Sequence, residues 1–210
     1  MVMEYLKGKT LAQLIEVRGA LPEGEAIEHI KKIGEALEEL HRSQLLHRNV
    51  KPENAIVCDG GRVVLIDFGL TKKVEEIIGL GTRQLAATTR FGSDGFAPPE
   101  QYLRSGVLGK YTDVYVLGAT LYYLLTGTVP NSAPEQAMGA GLTPVHQVNS
   151  SISHKYGDAV AKLWNWIRKS VRNQREIFLA RALPQRPWQP IRQSSFPRSS
   201  GAFWNCVQHE

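Results

Sequence analysis

The run His47-Arg48-Asn49-Val50-Lys51-Pro52-Glu53-Asn54, the stretch Ala55 to Ile66 after it, and then Asp67-Phe68-Gly69 decide how the chain is read. Within that stretch, Ala55 to Cys58 and Val63 to Ile66 are short apolar runs on either side of Asp59-Gly60-Gly61. Gly-containing dipeptides between two such runs predict a β-hairpin. A basic, amide-bearing segment comes directly before this hairpin, and an acidic tripeptide directly after it.

Working outward, Thr10 to Glu16 reads as a short helix with Leu11, Leu14 and Ile15 on one face. Gly8 breaks the pattern after a possible strand end in the first five residues. Pro22 fits the first turn of a second helix, with Glu23 and Glu25 placed well beside its positive end. Ile27, Ile30, Ile33, Leu37 and Leu40 then recur at three and four residues, which predicts an amphipathic helix. Residues 69–112 show little periodicity and read as a long loop, a length usually functional or disordered in compact domains. From Asp113 to Gly127 the chain is apolar nearly all round. Such a helix, too short for a membrane, belongs at the centre of a core. Asp113 is expected to cap its start, and Gly127 with Pro130 to end it. Short helices are expected around Ala159–Ile167 and Ile177–Leu183, before a proline-rich irregular end.

Composition narrows the classes. The chain has 210 residues, 42% hydrophobic and 21% charged, which is globular. Cys58 and Cys206 cannot make a disulfide framework, and no Cys/His cluster has zinc spacing. No signal peptide or membrane span is legible, so a cytoplasmic location is expected. The net charge of +5 is uneven: residues 1–154 hold 15 Lys and Arg against 17 Asp and Glu, residues 155–210 hold 10 against 3. All four tryptophans also lie in the second part. Two compositions meet near residue 155.

Together these segments resemble the large lobe of a eukaryotic-type Ser/Thr protein kinase, of the sort also found in bacteria. The resemblance covers roughly residues 1–154. It rests on residues 47–54, on Asp67-Phe68-Gly69, on Gly92-Ser-Asp-Gly-Phe-Ala-Pro-Pro-Glu100, and on Asp113 with its apolar helix. It implies an α+β, mostly helical lobe with one small hairpin, binding ATP and Mg²⁺ and acting on a protein substrate. By the resemblance, Asp67 and Asn54 are the metal contacts and Lys51 a positive charge near the transferred phosphoryl group. The chemistry suits them. Magnesium keeps much of its water, so one or two protein oxygens plus the phosphates suffice. Glu4 and Leu6 lie in a segment similar to the hinge that meets adenine through its backbone. Arg48 is implied to face the activation loop, where Thr82, Thr88 and Thr89 are candidate phosphorylation sites. Ser93 matches the position typical of Ser/Thr specificity. Glu100 would be a buried carboxylate seeking an arginine, for which Arg186-Pro187 offers an echo. His47 and Phe68 read as packing residues.

Three departures limit what the resemblance carries over. Asn49 stands where the catalytic aspartate belongs; its oxygen can orient a hydroxyl but cannot take the proton. Losing such a group costs roughly 10²–10⁴ in rate. Asn49 is open to two readings, a genuine replacement or a single-base change. The chain starts at the hinge-like segment, so the small lobe, with its glycine-rich loop and strand lysine, is expected to be absent. Residues 155–210 form a divergent basic tail, expected to be frameshifted or disordered. The expected function is therefore Ser/Thr kinase by family, impaired in this form. The alternative is a pseudokinase-like module that binds a partner without catalysis. A third reading, nucleic-acid binding through the tail, has only scattered charges behind it, so no nucleic acid is expected.

Overall fold

The computed structural model describes residues 5–68, 72–73, 95–102, 108–158, 160–162, 164 and 165. Strand β1 (Gly8–Thr10) leads into helices α1 (Leu11–Arg18) and α2 (Glu23–Arg42), then strand β2 (Leu45–Leu46). A 3₁₀ turn at Pro52–Asn54 opens strand β3 (Ala55–Cys58), which pairs with β4 (Val63–Leu65), and β5 (Lys72–Lys73) follows. Beyond these lie α3 (Pro99–Tyr102), α4 (Lys110–Thr126), α5 (Ala133–Ala137) and α6 (Val145–Val148). Helical residues continue over 154–158, 160–162 and 164–165. The lobe is mostly helical, with a small sheet.

Thr10 starts α1 by a capping box: its hydroxyl accepts from the Gln13 N–H, and the Gln13 side chain accepts from the Thr10 N–H. Leu11 and Ile15 are buried, while Leu14 is only partly covered. In α2 the buried face runs through Ala26, Ile30, Ile33 and Leu37; Ile27 and Leu40 lie at its margins. That face packs on α4, and the two helices carry much of one continuous core. Arg18 and Glu25 form a two-pronged ion pair at 2.7 Å between α1 and α2. Lys32 on α2 reaches the Gly61 carbonyl at 2.8 Å, fastening the hairpin turn to the helix.

The predicted hairpin is present, with Ala55 opposite Leu65 and Val57 opposite Val63. Gly60 and Gly61 adopt left-handed φ of 88° and 80° in its turn. One expectation here is corrected. Gly8 does not break the pattern but begins β1, which adds a third strand antiparallel to β3, with Gly8 opposite Cys58. The strand end expected in the first five residues lies, Tyr5 apart, outside the described residues. A methyl group on Gly8 would overlap the Val57 carbonyl, so glycine is what lets the strands approach. A second small pairing joins β2 to β5.

The stretch read as one loop, 69–112, contains β5, α3 and the start of α4 among its described residues. Helix α4 begins at Lys110, three residues before the expected cap. The Thr112 hydroxyl accepts from the Gly109 N–H there, which frees Asp113 for another role. Gly127 closes the helix in the left-handed conformation, as expected. Composition changes near residue 155, yet the core continues through it. Val160 and Trp164 are buried; Trp164 leans on Tyr115 at 4.8 Å between ring centroids and donates its indole N–H to Gln136 at 3.0 Å.

Candidate active site

The site is built outward from a buried carboxylate on the central helix. Asp113, in the first turn of α4, has no exposed surface. Its Oδ1 accepts from the Arg48 backbone N–H at 2.7 Å. Its Oδ2 accepts from the His47 backbone N–H at 3.0 Å and from His41 Nε2 at 2.8 Å. A buried carboxylate needs such donors, and hydrogen bonds to a charged acceptor are among the stronger ones. The central helix therefore grips the loop that follows β2 by its backbone, setting where residues 47–49 stand.

Under that grip the loop takes up strain. Arg48 has φ 65°, a left-handed conformation that is costly for a residue with a side chain. Its carbonyl also accepts from Gln101 Nε2 at 3.5 Å, and its side chain is buried. Burial lowers the guanidinium pKa, and the charge of Asp113 partly opposes this. His47 is wholly buried, and its Nδ1 accepts the Asn49 backbone N–H at 3.3 Å. Burial pulls its pKa down against the charges of Asp113 and Asp67, in keeping with a neutral ring. It packs as expected. Phe68 rests on that ring at 5.0 Å between centroids but keeps half its surface exposed.

Asn49 stands between the two candidate metal ligands. Its Nδ2 donates to Asp67 Oδ2 at 2.8 Å, and its backbone carbonyl accepts from Asn54 Nδ2 at 2.9 Å. Asn54 is fixed in turn: its N–H reaches the Lys51 carbonyl at 2.9 Å, and its own carbonyl accepts the Ile66 N–H at 2.8 Å. Asp67 is exposed and, like Arg48, left-handed, at φ 63°. The hairpin thus returns residue 67 to the loop it left at residue 54.

Lys51 is half-buried at the start of the 3₁₀ turn, and Leu6 is half-buried before β1. Glu100 is 4% exposed; among the described residues its partner is the Thr112 hydroxyl, which donates to Oε1 at 2.9 Å, rather than an arginine. Burial raises its pKa to about 7, against the pull of its hydrogen bonds. Glu4, Thr82, Thr88, Thr89, Ser93 and the Arg186-Pro187 pair lie outside the described residues. Sequence reading missed Asp113, His41 and Gln101 as members of the site. Asp113 carried a signal, because a carboxylate within an apolar helix must find donors.

The family model for the protein kinase domain matches residues 1–187. The chain belongs to the eukaryotic-type Ser/Thr protein kinase family. A probable serine/threonine-protein kinase of Clostridium perfringens is 35% identical over 77% of this chain and 24% of its own length. Serine/threonine-protein kinase B of Synechocystis is 30% identical over 88% of this chain and 32% of its own. The PrkC kinase of Bacillus subtilis is 34% identical over 61% of the chain and 19% of its own. This kinase-family chain thus spans about a quarter to a third of the length of the first two relatives. Among its described residues, no helix is long and apolar enough to cross a membrane.

Proposed function

We propose that this chain is the face of a Ser/Thr protein kinase large lobe that holds ATP and magnesium, with phosphoryl transfer to a protein hydroxyl impaired at Asn49. The observation that supports it is the arrangement at that residue. The loop is held by Asp113 as a structural unit, and both Asn54 and Asp67 are tied to residue 49, which carries an amide. Proton acceptance at that position is lost while the surrounding frame is kept.

The residues present fit a magnesium ion. Asp67 offers a carboxylate at an exposed position. Asn54 commits its amide nitrogen to the Asn49 carbonyl, leaving Oδ1 as its atom for a hard cation. Two such oxygens are what a site completed by phosphates and water requires. Bound Mg-ATP would bring the phosphoryl group with its charge partly neutralised. Lys51 would add a point charge beside it, and the Asn49 oxygen could orient a hydroxyl without taking its proton.

A thermal melt of the purified chain tests this. A ligand that binds only the folded state adds about 2.7 kcal/mol at a hundredfold excess over its dissociation constant. A cooperative transition that rises with Mg-ATP, and rises much less in Asp67→Asn, is the expected result. A transition indifferent to Mg-ATP would overturn the proposal.

A further inference from the structure

We infer that Asn49 is a positioning residue for the cation: its side-chain amide holds the Asp67 carboxylate in place, so the position serves retention of the metal. This rests on the reading of Asn54 and Asp67 as magnesium ligands. An ionised carboxylate only accepts, so the amide nitrogen is the atom that faces it across the 2.8 Å contact. An aspartate at residue 49 could not make that bond, and would set a second negative charge against Asp67 at the same spacing. The replacement therefore does more than remove a proton acceptor. It supplies a donor that suits the geometry.

The donor is itself well fixed. Asn49 is held at its N–H by His47 Nδ1 and at its carbonyl by Asn54 Nδ2. Its side chain then reaches Asp67, whose left-handed backbone needs support from its surroundings. One residue thus joins both candidate ligands, through its main chain to Asn54 and through its side chain to Asp67. A carboxylate already oriented loses less freedom when a cation arrives. Partners of this kind typically contribute 10–100-fold to metal affinity when removed singly.

The test is calorimetric titration of ATP into the wild-type chain and Asn49→Ala, each with excess Mg²⁺ and again with EDTA. The ratio of the two dissociation constants is the gain due to magnesium. In Asn49→Ala this gain is expected to fall about 10–100-fold. Affinity in EDTA, where no cation is held, should fall far less than affinity with magnesium. Asn49→Ser, polar but too short to span the contact, is expected to show the same loss and guards against an Ala variant that folds poorly. No magnesium-dependent gain in the wild type would overturn the ligand reading and this inference with it. A gain in the wild type that both variants retain would overturn this inference alone. Equal losses with and without magnesium would do so too, since they mark a merely structural role.

Discussion

Glu100 shows how one residue's surroundings become a property that can be measured. The carboxyl lies buried against Thr112, and its folded pKa of about 7 stands above its ordinary 4.5. A group with a raised folded pKa contributes stability that is fully present below the unfolded value and lost as pH rises through the folded one. The window here runs from about pH 4.5 to 7, and the whole effect is on the order of 3 kcal/mol. Glu100→Gln keeps the shape and an acceptor for Thr112 but cannot ionise. Urea unfolding at pH 5 and pH 8 should therefore show the wild type losing stability relative to the variant as pH rises. Parallel profiles would show that Glu100 does not titrate in this window. At the same scale, Asn49 was legible as a departure, because the residues around it fix its position in the motif. Its hydrogen bond to Asp67 was not, since it joins residues 18 apart and depends on where the hairpin returns the chain.

Among the elements, those written by local pattern were legible and those made by distant partners were not. The three- and four-residue recurrence gave α2, and two apolar runs around glycines gave the hairpin. Strand β1 escaped because three residues carry no usable alternation, and Gly8 read as an interruption. Its necessity appears only beside β3, where Val57 leaves no room for a side chain. Gly8→Ala should therefore push β1 from β3, at a cost of about 1–3 kcal/mol typical of overpacking. Hydrogen exchange at residues 8–10 and 56–58 would report it as lost protection. Unchanged exchange there would mean the third strand adds no constraint. The start of α4 was misplaced for a related reason. Asp113 looks like a cap in one dimension, but its carboxylate is taken by the backbone of residues 47 and 48.

For the whole molecule, the core reaches farther along the chain than composition indicates. Net charge and tryptophan content change near residue 155, yet Trp164 is packed in the same core as α2 and α4. The kinase-domain match likewise runs to residue 187. Local composition reads the surface as much as the interior, so a change in charge need not mark an edge of the fold. What the assembled lobe offers is the loop of residues 47–49 held by Asp113, the Asn54 and Asp67 side chains both hydrogen-bonded to Asn49, and no carboxylate at residue 49. Such a protein is expected to retain Mg-ATP and to transfer its phosphate poorly. The most direct measurement follows both in one sample: nucleotide bound at saturation, and phosphate moved from that nucleotide to a basic Ser/Thr-containing protein. Saturable, magnesium-dependent binding is predicted, with transfer roughly 10²–10⁴ below the 1–100 s⁻¹ typical of kinases. Transfer at the ordinary rate, or no saturable binding, would contradict it.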